Sequence, residues 1–153
     1  MGRPWLVPAS YLFLLDPARR VLLQLRSGTG FMDGYWAAAA AGHVDAGESA
    51  AQAAVREARE ELGIIVDPAD LHPLTTVHRN QLEGSAIDQR VDFYFTASNW
   101  SGEPTLMEPG KSAGLDWFPL TDLPLPVVPH ELVVLQFLAS EGAIPAILVR
   151  GFR

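Results

Sequence analysis

Three carboxylates, Glu57, Glu60 and Glu61, stand at i, i+3 and i+4. On a helix that spacing puts all three on one face. Gathered like charges repel, at roughly 0.2–0.5 kcal/mol for an i,i+4 pair. A hard divalent cation reverses that cost, because carboxylate oxygens are its preferred ligands. The chemistry on offer is the binding of a hard divalent cation. Arg56 lies four residues before Glu60 and can orient it or reach back to Glu48. Alone, Arg-Glu-x-x-Glu-Glu is more often a solvated helix face. The elements around it and the longer pattern change that reading.

Ser49–Leu62 is the clearest helix. Ser49 and Gln52 have capping-box spacing, Ala50, Ala51, Ala53, Ala54 and Ala58 favour helix, and Gly63 supplies the stop. Ala51, Ala54, Val55, Ala58 and Leu62 form a stripe suited to packing on a sheet. Before the helix, Tyr11–Leu15 and Val21–Leu25 read as the arms of a hairpin across a turn at Asp16–Arg20. Ser27–Gly34 reads as a Gly-rich loop and Tyr35–Val44 as one further strand. After it, Ile64–Val66, Leu74–His78, Arg90–Ala97 and Leu115–Leu120 are strand-like. His130–Ser140 has helical spacing and an apolar surface nearly all round. Prolines cluster between Pro119 and Pro129, which reads as a surface connection. The order predicts an α/β fold: a mixed sheet with helices packed on it.

The 153 residues, 48% of them hydrophobic, suit one domain spanning 1–153. A net charge of −7 argues against a non-specific binder of nucleic acid or anionic membrane. It permits a polyanionic substrate if cations stand between. No cysteine is present, which excludes disulfides, thiolate metal sites and Cys nucleophiles. The expected setting is a reducing cytoplasm. The apolar run Tyr11–Leu15 is far shorter than the ~20 residues a membrane span needs.

The wider pattern is Gly42-x5-Glu48-x7-Arg56-Glu57-Ala58-x-Glu60-Glu61-x-Gly63-Ile64. Seven fixed positions match by chance about once in 10⁹ starts. The pattern is the signature of the Nudix family, and on it the chain resembles a Nudix hydrolase. The resemblance implies an α/β/α sandwich around a mixed sheet, with a loop–helix–loop holding Mg²⁺ or Mn²⁺. It implies attack of water on a pyrophosphate bond of a nucleoside-diphosphate-type substrate. Carried over by position, Glu57, Glu60 and Glu61 are the metal carboxylates, with a backbone carbonyl at Ala41 or Gly42 completing the set. Glu57 is either a ligand or the general base. Glu48 and Arg56 form a supporting ion pair.

Trp100-Ser-Gly-Glu-Pro104-Thr-Leu-Met-Glu108 also resembles the MutT-like subgroup, whose members supply a loop glutamate to the metal site at the place of Glu108. The alanine run Ala38–Ala41 departs from the Leu-Pro that many relatives have there. ADP-ribose hydrolases often carry Pro where His78–Asn80 stand. Diadenosine-polyphosphate hydrolases often carry Tyr where Leu82 and Glu83 stand. Their absence favours a (deoxy)nucleoside triphosphate over an NDP-sugar, ADP-ribose or a dinucleotide. A nucleotide sensor without turnover is the alternative of another class. Arg79, Arg90 and Lys111 are candidate phosphate contacts, against the plainer reading of surface side chains. Phe31, Trp36 and Trp117 are candidates for base stacking or for the core. His130 reads first as a surface histidine near the place of a base-reading group. The partner is a small-molecule nucleotide, and a homodimer stays open.

Overall fold

The computed structural model describes residues 2–3, 5–80 and 88–152. The segment with Leu82 and Glu83 lies outside the described residues. Strand β1 (Trp5–Leu14) alternates its side chains across a sheet. Leu12 and Leu14 enter one apolar cluster, and Phe13 and Leu15 enter another. Each cluster is closed by a helix. Helix α1 (Ala50–Leu62) covers the first with Ala54, Ala58 and Leu62. Helix α2 (Pro129–Ser140) covers the second with Val134 and Leu135. The helices therefore lie on opposite sides of the strands, as in an α/β/α sandwich.

Two sheets supply the middle. Strands β2 (Arg20–Arg26), β3 (Trp36–Ala38) and β4 (Ala40–His43) precede α1; β5 (His72–Asn80), β6 (Asp88–Ala97) and β7 (Ser112–Pro119) follow it; β8 (Ile147–Arg150) follows α2. Five strands run in the order β4-β1-β6-β5-β8 and three in the order β3-β2-β7. The larger sheet is mixed: β1–β6 and β5–β8 are parallel, β1–β4 and β5–β6 antiparallel.

Several expectations change here. The hairpin turn exists, with Arg19 N–H on the Asp16 carbonyl at 2.9 Å. Its arms do not form a shared ladder. They meet at the single bridge Leu15–Val21 and then diverge into different sheets, because each has a better partner: β6 for β1, β7 for β2. The strand expected over Tyr35–Val44 is broken at Ala39; β3 pairs with β2 and β4 with β1. Ile64–Val66 contributes only an isolated bridge, Ile65–Ser101, with Ile64 and Val66 buried under α1. The proline-rich connection is not wholly superficial, since Val127 and Val128 are buried beside β3. Strand β8 was not expected from the sequence.

Helix α1 begins and ends as its sequence dictates. The Ser49 hydroxyl accepts from Gln52 N–H at 3.1 Å, and the Gln52 side chain accepts from Ser49 N–H at 2.8 Å. Gly63 closes the helix at φ 67°, where a side chain would be strained.

Candidate functional site

Helix α1 carries its carboxylates to the end of β4. Glu61 Oε2 accepts from Ala41 N–H at 2.7 Å. The Glu57 carboxylate lies directly against Gly42, so close that a Cβ there would overlap it. Arg56 knots the preceding loop to the helix. Its guanidinium donates to Glu48 at 2.8 and 3.1 Å, to Glu57 at 2.7 Å, to Glu60 at 3.1 Å and to the His43 carbonyl at 2.9 Å. The loop is further closed by Asp45 N–H donating to Glu48 at 3.0 Å.

The charges of this cluster are strained by where they sit. Burial, then the like charges of Glu57 and Glu108, push the Glu61 carboxyl up to about 8 against the pull of Ala41 N–H. Burial also raises Glu57, with Arg56 opposing and Glu60 and Glu108 adding to the rise. Glu48, held by Arg56, lies below its ordinary value. Among the described residues no three His, Asp or Glu side chains converge as ligands around one point. The guanidinium of Arg56 is the cation that Glu57 and Glu60 meet here. An all-oxygen set of carboxylates, two of them raised by burial, beside a glycine that leaves room for them, nonetheless fits a hard divalent ion. Glu57, Glu60 and Glu61 are the residues that could hold it.

Beside this cluster opens a cavity of about 280 Å³. Glu61, Gly42 and His43 form its edge toward α1; Tyr11, Arg79 and Asp92 lie along its wall; His130 and Glu131 enter from the first turn of α2. Arg79 is not a surface arginine. Its Nε donates to the fully buried Asp92 at 2.5 Å. Arg90 also lines the cavity, with Nη1 3.5 Å from His43 Nε2. His130 is likewise not on the surface: it is 7% exposed, edge-on to Tyr11. Burial drives its imidazole down to about 3 and keeps it neutral. Phe31 reaches the cavity, held by Arg26, which donates to the Phe31 carbonyl at 2.8 Å. Trp36 and Trp117 go elsewhere, packing on Phe118 and Trp100. Glu108 and Lys111 pair with each other at 3.1 Å outside the cavity wall, near enough for Glu108 to act on Glu57 and Glu61.

Five cavity groups were not singled out from the sequence: Tyr11, Gln24, Arg26, Asp92 and Glu131. Two had a signal. Asp92 stands between Val91 and Phe93, and Glu131 is the one carboxylate of a mostly apolar helix.

The NUDIX domain model matches residues 5–138, most of the chain. The chain belongs to the Nudix family. The crystal structure of a MutT NUDIX hydrolase from Burkholderia pseudomallei superposes with a TM-score of 0.75 at 28% identity, covering 86% of this chain and 97% of that one. A MutT protein from Bacillus halodurans shares the fold, with a TM-score of 0.72 at 22% identity over 90% of this chain and 84% of that one. A curated relative, isopentenyl-diphosphate Delta-isomerase 2 of Aromatoleum aromaticum, is 31% identical over 117 residues. That match takes in 76% of this chain and 60% of the relative, so the chain spans about three-fifths of its length. Nudix hydrolases as a family act on small nucleotide-type substrates and generally use divalent cations. No helix among the described residues is long and apolar enough to cross a membrane.

Proposed function

We propose that this Nudix domain hydrolyses a pyrophosphate bond in a nucleoside-diphosphate-linked compound, with Mg²⁺ or Mn²⁺. The substrate we favour is a (deoxy)nucleoside triphosphate, cut to the monophosphate and pyrophosphate. The reading is carried by one observation: the box carboxylates Glu57 and Glu61 press on Gly42 and Ala41 at the edge of a nucleoside-sized cavity with Arg90 on its rim. Glu57, Glu60 and Glu61 would hold the ion, with the Gly42 region of β4 beside them and Glu108 near. When bound, the ion would neutralise charge on the phosphate oxygens and acidify an attacking water.

The side chains divide the remaining work. Water adds to one phosphorus and the bridging P–O bond breaks, so one proton must leave the attacking water. Where Glu57 is not itself a ligand, it is the carboxylate suited to accept it, being raised by burial. Arg56, gripping Glu48 and the His43 carbonyl, holds loop and helix in register. Arg90 meets a phosphate oxygen, while Arg79 serves the wall through Asp92. Lys111 is left to outer phosphates at the mouth.

The isomerase relative supports a second reading, rearrangement of an alkyl diphosphate. A small hydrocarbon would then lie against Arg79, Asp92, His130 and Glu131, which suits it poorly. A panel of (d)NTPs, oxidised dGTP, ADP-ribose, NDP-sugars, diadenosine polyphosphates and isopentenyl diphosphate, with products identified by mass, tests the choice. Monophosphate plus pyrophosphate, lost on chelation, is expected. Cleavage confined to sugars or dinucleotides moves the substrate class. Rearranged isopentenyl diphosphate overturns hydrolysis. Nucleotide binding without turnover makes the protein a sensor.

A further inference from the structure

Between Trp36 and His43 the chain leaves one sheet for another. Up to Ala38 it pairs with β2, and from Ala40 with β1. A crossing of this kind strands backbone groups that no ladder can satisfy. Two side chains take them. Glu131 Oε1 accepts from Ala38 N–H at 2.7 Å. Gln24 Nε2 donates to the Ala38 carbonyl at 3.0 Å and reaches the Ala39 carbonyl at 3.4 Å.

The local sequence makes such clamps necessary. Residues 37–41 are five alanines. A slip by one residue would put alanine where alanine was, so side-chain volume barely sets the register. Yet the register is critical. Three residues past Ala38, Ala41 N–H meets Glu61, and at the next residue, Gly42, a side chain would push the Glu57 carboxylate from its place. Glu131 also sits where a carboxyl is costly: it is 3% exposed, and among the described residues the one hydrogen bond of its carboxyl is from Ala38 N–H. A leucine at this helix position would pack more cheaply.

We infer that Glu131 is a positioning residue: by holding Ala38 N–H, with Gln24 on the adjoining carbonyls, it sets the register in which Ala41 and Gly42 meet Glu61 and Glu57. What that register serves rests on the reading of those two carboxylates as cation ligands. Glu131 touches the site only through the strand, although it also lines the cavity.

The test uses the full chain and three variants, Glu131→Leu, Glu131→Gln and Gln24→Leu. Mn²⁺ binding to the substrate-free protein is measured by electron paramagnetic resonance, and the Ala41 amide is followed by NMR. Loss of the clamp in Glu131→Leu should weaken Mn²⁺ about tenfold, the scale for removing an outer partner of a ligand. It should shift the Ala41 amide and lower kcat with KM retained. Glu131→Gln keeps an acceptor oxygen and should restore Mn²⁺ affinity and the Ala41 signal. Unchanged Mn²⁺ affinity and an unmoved Ala41 amide in Glu131→Leu would overturn the inference. So would a Glu131→Gln variant that changes KM and base preference alone, since Glu131 would then be a substrate contact. If Glu131→Leu fails to fold, Gln24→Leu carries the same expectations from the other side of the crossing. Equal Mn²⁺ affinity in wild type and Glu61→Gln would remove the cation reading, while the Ala41 amide would still report on the crossing.

Discussion

At Glu61 the cost of burial becomes a pH dependence. Its carboxyl is pushed from an ordinary 4.5 up to about 8, chiefly by burial. Between those values the folded chain binds more protons than the unfolded one, so stability falls as pH rises. The contribution is fully present below about 4.5 and is lost as pH climbs through about 8. Glu131, raised by burial to about 7, acts in the same direction. Neutral His130, lowered by burial to about 3, acts the other way up to its ordinary 6.5. Without divalent cations the melting temperature should therefore fall from about pH 6.5 to pH 8, and Glu61→Gln should flatten that fall. A melting temperature rising across this window in wild type would contradict the assignment. Gly42 supplies a sharper case. A methyl there collides with the Glu57 carboxylate. Gly42→Ala should lower kcat by about a hundredfold, the scale of a 1 Å misplacement, while circular dichroism stays that of the wild type. Retained activity would mean that Glu57 can leave Gly42 freely.

The element that organises the site is the join between the 44–49 loop and α1, and Arg56 is its fastener. Arg56→Ala should destabilise the fold by about 2 kcal/mol, as for lost hydrogen bonds to charged groups, and reduce kcat/KM by 10- to 100-fold. Arg56→Lys should rescue little, because one ammonium cannot reproduce the fork on Glu48 and still reach His43 and Glu57. Thermal melts and steady-state kinetics check both, and a fully active Lys variant would reduce Arg56 to a point charge. This element was legible in the sequence because everything that specifies it is local: the Ser49–Gln52 cap, the Gly63 stop and the carboxylate spacing all lie within one helix and its flanks. The sheets were not, because pairing is long-range. Nothing in Tyr11–Leu25 says that two adjacent strands will part for β6 and β7. Nothing in five alanines says that the chain will change sheets at Ala39. The cavity escaped notice for the same reason, since Tyr11, Gln24 with Arg26, Asp92 and Glu131 come from four elements that meet only in three dimensions. His130 read as superficial because its burial is decided by Tyr11, 119 residues away.

Over the whole molecule the formal charge is −7, and the favoured substrate is also an anion. The cavity does not correct this by itself. Arg26, Arg79 and Arg90 face Glu61, Asp92 and Glu131 across it, a near balance when all are ionised. A bound cation is what would tip the site toward phosphate, and binding to the folded state alone must also stabilise it. At a hundredfold excess over its dissociation constant the gain is about 2.7 kcal/mol. For a chain of this size that corresponds to a rise in melting temperature of roughly 5–10 °C. Mg²⁺ should produce that rise in wild type, and Glu61→Gln should lose most of it. General screening of an acidic protein would also raise stability, so the control is NaCl at matched ionic strength. Screening acts on all the carboxylates and would be the same for both cations and both proteins. A site acts only where Glu61 can ionise, so its effect should also grow with pH up to about 8. Equal shifts with NaCl and MgCl₂, indifferent to Glu61 and to pH, would mean that these carboxylates form an acidic surface and hold no ion.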